Sequence, residues 1–231
     1  MRILPLVFSA LLIASPAFAQ DAPSVISVTG QGTIAAMPDM ATISLGVATN
    51  GSTAREALDA NSEAIAAVLS RLTASGIAEK DIQTSGLSLG PVYDYSSANE
   101  GRGPKLTGFQ ASNMVTVKVR ALNELGALLD TTVGEGANTI NGVFFGLEES
   151  DAKADEARLA AMADARRKAE LLAEAADVRL GRIVSISEGG VAMPMGGMGA
   201  VAFERAAAPV PIAEGEVTVS ASVSISWEID Q

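Results

Sequence analysis

The residues best suited by type and spacing to chemistry are Ser150 and Lys153, in Ser150-Asp-Ala-Lys153. A lysine one helical turn beyond a serine can act on the hydroxyl, as in the Ser-x-x-Lys element of penicillin-recognising enzymes. Ser97-Ala-Asn99 matches a second such element, but it precedes the first and no Lys-Thr-Gly follows. Ser150 as a plain helix N-cap explains the same residues, so a Ser–Lys hydrolase is the alternative and no enzymatic activity is expected. A second chemistry lies in Met193-Pro-Met195-Gly-Gly-Met198. Thioethers are soft ligands that suit Cu(I), and the same three methionines also suit an adaptable apolar contact. Glu148, Glu149, Asp151, Asp155 and Glu156 lack the residue spacing of a calcium loop. They read as the solvated start of a helix, where carboxylates meet the positive end of its dipole.

What the chain lacks excludes more. There is no cysteine and no histidine. Disulfides, thiolate nucleophiles, Fe–S clusters and Cys- or His-based zinc sites are therefore impossible, as are Ser–His–Asp triads. Among 231 residues the formal charge is −11, which leaves no basic stripe for nucleic acid or for anionic lipid. Gly30 and Gly32 do not make a dinucleotide loop, because a strand follows them where a helix should open. A bulge or a close backbone approach is the better reading. No cofactor is expected.

Several elements must position these residues. Val115, Val117 and Val119 alternate with polar neighbours as a strand, and Leu122, Leu125 and Leu129 continue the run as a short helix, with Asn123 its cap and Gly134 or Gly136 its stop. Ile26 to Gly30 and Ala41 to Val47 read as two earlier strands. Thr53 and Glu56 form a capping box for a helix burying Leu58, Ile65, Val68, Leu69 and Leu72, with Asn61 at its margin and Gly76 as its C-cap. Asp81 to Tyr95 returns as strand with Leu87 and Leu89 inward, and places Tyr93 and Tyr95 at a sheet margin before a polar loop. Ile140 to Leu147, apolar on both faces, reads as a central strand.

A long helix from Ser150 to about Asp177 carries Met162, Ala165, Ala169, Leu172 and Ala176 on one narrow stripe, with Arg166–Glu170 and Asp164–Lys168 pairs on its wet side. Leu180 to Ser187 is a strand, and Gly189 to Pro211 a long Met-, Pro- and Gly-rich loop of the kind that is usually functional. Val217 to Ile229 alternates most cleanly, and one apolar face that long must lie on the core or on a neighbouring subunit. The order strand–strand–helix–strand–strand–helix–strand–helix–strand–strand predicts an α+β fold, mainly antiparallel sheets with helices packed on one face.

At the N-terminus, Arg2, the apolar run from Ile3 to Ile13 and Ala17-Phe-Ala19 make a signal peptide over residues 1–19. Cleavage before Gln20 removes Arg2, taking −11 to −12. No other run approaches the roughly 18 apolar residues of a membrane span.

Five stretches resemble the SIMPL-domain family in order along the chain: Val28-Thr-Gly-Gln-Gly32, Asp81-Ile-Gln-Thr84, Pro91-Val-Tyr-Asp-Tyr95, Gly136-Ala-Asn-Thr-Ile140 and Ala165-Arg-Arg-Lys-Ala169. So does the strand–helix run from Thr107 to Asp130. The resemblance implies one SIMPL domain over residues 20–231, as two interleaved lobes, in a periplasmic, immunogenic or oxidative-stress-linked protein. It also implies homo-oligomers, ring-like in similar proteins, or an envelope protein partner, and carries no reaction. The expected contact residues are Val191, Met193, Met195, Met198, Val201, Phe203 and Trp227.

Overall fold

The computed structural model describes residues 24–96, 103–192 and 212–230. Its strands and helices follow the predicted order: β1 (Val25–Ala36), β2 (Met40–Gly51), α1 (Ala54–Ala74), β3 (Ile82–Asp94), β4 (Lys105–Val119), α2 (Leu125–Gly134), β5 (Thr139–Gly146), α3 (Asp151–Ala175), β6 (Arg179–Ala192) and β7 (Val217–Asp230). They form two antiparallel sheets, three strands in the order β1-β7-β6 and four in the order β3-β4-β2-β5. The fold is α+β. The first and last strands pair from Val25↔Glu228 to Ala36↔Val217, so the two ends of the chain share one sheet and its middle builds the other.

The three-stranded sheet is covered by α3, and the contact is unusually close. The buried stripe of α3 is alanine throughout: Ala154, Ala157, Ala161, Ala165, Ala169 and Ala173. Facing it on β1 are Gly30 and Gly32, where an added Cβ would stand 2.0 Å from the carbonyl oxygens of Ala161 and Ala157 respectively. The close backbone approach predicted for these glycines is thus present. The predicted stripe is corrected at one end: Leu172 is exposed and Ala176 is the C-cap, because the helix seats itself by its smallest side chains. The Asp164–Lys168 pair is also not merely a wet-side pair. Asp164 Oδ2 accepts from the Gln31 amide at 2.9 Å, and Lys168 Nζ donates to the Thr29 carbonyl at 2.9 Å. These two side chains satisfy the Gln31 amide and the Thr29 carbonyl of β1, an edge strand.

In the four-stranded sheet, Ile43, Leu45 and Val47 of β2 and Val115 and Val117 of β4 pack on Ile65, Val68 and Leu72 of α1 and Leu125 and Leu129 of α2. Thr53 Oγ1 accepts from the Glu56 amide at 3.2 Å. The reciprocal bond reaches the Ser52 amide, at 3.0 Å, so the capping box closes one residue early. Asn61 is not at the margin. It is 1% exposed, and its Nδ2 donates to the carbonyls of Val47 and Ala111 at 2.8 and 3.3 Å. Asn123 lies inside a 3-10 turn, Leu122–Glu124, and caps nothing. Gly76 (φ 86°) and Gly136 (φ 112°) supply the left-handed residues that end α1 and α2.

Two strand assignments change. β5 is an edge strand, not a central one: Phe145 packs in the core, whereas the Phe144 ring lies across Gly142. β3 is the other edge, and Leu87 and Leu89 are 62% and 45% exposed rather than inward. The strand runs beyond the area that α1 covers, so alternation there has no helix to face.

The glycine–alanine contact should be intolerant of a single methyl. Gly30→Ala is expected to destabilise by about 1–3 kcal/mol in urea unfolding, the usual cost of overpacking. Gly90→Ala, whose Cβ meets nothing within 4 Å, should stay within about 0.5 kcal/mol.

Candidate functional site

The densest group of charges surrounds Arg120, at the end of β4. Its Nε donates to Glu148 Oε2 and Oε1 at 2.7 and 2.8 Å, and its Nη1 and Nη2 reach both oxygens of Asp81. Asp81 is buried in the turn before β3, and Glu148 follows β5. The Glu148 amide in turn donates to Asp39 Oδ1 at 2.7 Å. Hydrogen bonds from Arg120 hold the carboxyls of Asp81 and Glu148 below the usual carboxylate range, and those same bonds, Glu148 first, raise the guanidinium further above its own. Arg120 is saturated by two carboxylates, and neither of them is poised to exchange a proton near neutrality. This group rivets three strand ends together.

The other predicted sites are dispersed. Ser150 stands at the N-cap position of α3 without a side-chain capping bond. Lys153 directs its ammonium to Glu156 at 2.8 Å. The acidic cluster is divided among bases: Glu148 pairs with Arg120, Asp155 with Arg158, and Glu156 with Lys153. Tyr93 and Tyr95 meet edge to face, ring centroids 6.4 Å apart, and both are exposed on the outer end of β3. Met193, Met195, Met198, Val201 and Phe203 lie outside the described residues, as does Ser97-Ala-Asn99. Gly189, Gly190 and Val191, placed in the long loop by sequence, belong to β6.

The structure instead brings together an apolar groove between α3 and β6. Because α3 is seated mainly on β1 and β7, it meets β6 only towards the end of that strand, where Arg158 pairs with Glu188 and Val191 packs beside Ala154 and Ala157, and leaves the first half of β6 open. Ile183 and Ile186 stand opposite Trp227 and Ile225 of β7 and therefore point to the helix side. They are nevertheless 47% and 55% exposed. The groove has a volume of about 880 Å³; Met162, Leu180, Ile183, Ile225 and Trp227 form its walls, and Arg166, Glu170, Arg179 and Arg182 its rim. Trp227, predicted as a contact residue, lines the groove but is only 6% exposed. Val191 is half-buried and packs on the neighbouring cluster with Val219 and Ala221. The pairing of β6 with β7 shifts register near Gly181, Val184 and Gly190. Such bulges blunt a free strand edge.

Asn138, within Gly136-Ala-Asn-Thr-Ile140, is a fastening. Asn138 Oδ1 accepts from the Ala48 amide and its Nδ2 donates to the Ala48 carbonyl, both at 2.8 Å. One side chain thereby extends the β2–β5 ladder by a residue. The SIMPL family model, described as a protein of unknown function (DUF541), matches residues 26–227. The chain belongs to the SIMPL family. It is similar to the 26 kDa periplasmic immunogenic protein of Brucella melitensis, 41% identical over 225 residues that cover 93% of this chain and 90% of the relative. The protein of the same name from Brucella abortus aligns over the same extent. It is also similar to the uncharacterized protein YggE of Escherichia coli K12, 34% identical over 169 residues, 72% of this chain and 65% of the relative. Among the described residues of this SIMPL protein, no helix is long and apolar enough to cross a membrane.

Sequence reasoning did not find Arg120, which sat among the polar partners of an alternating strand. Its partner Asp81 and the side chain of Asn138 did fall within quoted motifs. The rivet has a pH signature. Carboxyls held low in the folded state stabilise above their unfolded pKa, roughly 4, and that stabilisation is lost as pH falls through the folded values. Arg120→Met should therefore lower the urea midpoint more at pH 7 than at pH 3, and an equal loss at both would count against the rivet.

Proposed function

We propose that this SIMPL protein is an exported, periplasmic, non-enzymatic protein that acts by self-association or by binding other envelope components. The observation that carries this reading is the groove beside β6, lined by Ile183, with Ile186 exposed next to it on the same face of the strand. Large side chains of that kind, gathered in one concave strip with a polar rim, are the usual composition of a contact surface. The names of the Brucella relatives and the leader-like pattern of residues 1–19 support the periplasm. The lack of cysteine and histidine, with the strongest charge cluster consumed by mutual pairing, supports a role without catalysis. The family resemblance supports a part in oxidative-stress defence, which would operate without thiol chemistry.

The reading is tested by light scattering after size-exclusion chromatography of the chain from Gln20 onward. A species of several subunits is expected, with lower mass in the Ile183→Asp, Ile186→Asp double variant. A wild-type monomer at all concentrations, binding no envelope extract component, would sink the reading. An unchanged mass in the double variant would remove the groove as the contact.

A further inference from the structure

An open strand edge can take on a further strand unless something blunts it. Among the described residues the two sheets end in β1, β6, β3 and β5. Asp164 and Lys168 occupy backbone groups of β1, and β6 shifts register against β7 at three places. β5 is eight residues long and carries an extra residue, Asn141, beside Gly142 (φ 147°). β3 is different. Its bulges, at Thr84/Gly86 and Val92/Tyr93, leave residues 86–92 in unbroken register with β4. Pro91 lies in that run, and a strand accepts proline where its nitrogen faces away from the neighbour. By alternation Leu87 and Leu89 also turn their backbone groups outward, and both side chains are exposed. Charge narrows the choice of partner. No charged residue occurs in residues 82–93 or, on the adjoining β4, in residues 106–117. In a chain of charge −11, this uncharged margin lets a second copy approach without setting like charges together. The run is also self-complementary. An antiparallel two-fold pairing centred on Ser88 sets Leu87 opposite Leu89 of the second copy and Gly86 opposite Gly90, and leaves Pro91 beyond the leucine pairs.

We propose that β3 pairs with β3 of a second copy through residues 86–90, joining two four-stranded sheets across a two-fold axis at Ser88. This pairing rests on the self-association reading but uses the other sheet, so it can fail while the groove contact stands. The chain has no cysteine, so one introduced thiol reports the register. Residues directly opposed in such a ladder have Cα atoms about 4.5–5.5 Å apart, within disulfide range. On oxidation of the chain from Gln20 onward, Ser88→Cys should form disulfide-linked dimers about ten-fold or more faster than Ser62→Cys, an exposed position on α1. Adding Leu87→Lys and Leu89→Lys should return the rate to that of Ser62→Cys, with the urea midpoint kept because both side chains are exposed. Adding Ile183→Asp and Ile186→Asp should leave the Ser88→Cys rate unchanged. Equal rates for Ser88→Cys and Ser62→Cys, or lysine variants that cross-link like their parent, would overturn the pairing; a wild type of several subunits would then leave the groove as the contact. Cross-linking of Ser88→Cys to a synthetic peptide of residues 84–92 bearing the same substitution, but not to itself, would assign the edge to extended peptides and overturn self-pairing.

Discussion

The approach of α3 to β1 is the constraint on which one half of the molecule rests. A helix packed on a sheet through leucines stands off by the depth of those side chains. Here alanine meets glycine, and the Ala157 and Ala161 carbonyls come to where the β1 side chains would begin. Such contact gains dispersion over many backbone atoms but little area per residue, so it is stable only where both partners stay small. It also fixes the helix laterally. With α3 held over β1, and Asp164 and Lys168 bonded to the β1 backbone, the helix reaches β6 only near Glu188 and Val191 and leaves its first half open. The groove is the geometric consequence of the contact.

The other half is held by charge and amide pairing at its corners. An acidic chain spreads self-repulsion over its surface, and the guanidinium of Arg120 gathers two carboxylates from distant parts of the sequence at the end of one sheet. Asn138 acts similarly, one side chain reproducing both bonds of a strand residue. In these terms four of the five stretches that resemble the family are structural fastenings: Gly30 and Gly32, Asp81, Asn138, and Ala165 with Ala169. Pro91 to Tyr95 is different. Val92, Tyr93 and Tyr95 are exposed, and no described contact outside the hairpin explains why they are apolar.

Local periodicity made the elements legible because each strand and helix has one covered face, and the order of all ten followed from it. Caps were legible for the same reason: Thr53, Gly76 and Gly136 satisfy requirements set within a few residues. Two failures are local, Asn123, which caps nothing, and Gly189 to Val191, which continue β6; the others concern which neighbour covers an element. Leu87 and Leu89 alternate like core residues, but β3 lies at an edge. Ile140 to Leu147 reads as central because both faces are apolar, yet Phe144 folds over Gly142 instead of meeting another layer. Leu172 falls on a plausible stripe that the alanine–glycine contact displaces. Asn61 reads as marginal because polarity argues against burial, and only the carbonyls of β2 and β4 make its burial affordable. Arg120 was invisible for the same reason, since a salt bridge between residues 39 and 28 positions away leaves no trace in spacing.

The same distribution of residues bears on function. Catalytic groups in proteins are commonly strained, unpaired or shifted toward neutrality. In this chain the carboxyls that shift do so downward, each held by a hydrogen bond, and the most constrained backbone contact serves packing. Among the described residues of the three-stranded sheet, the apolar wall of β6 beside α3 is left exposed. Because α3 and α1 pack on separate sheets, a substitution in that groove leaves the core beneath α1 intact.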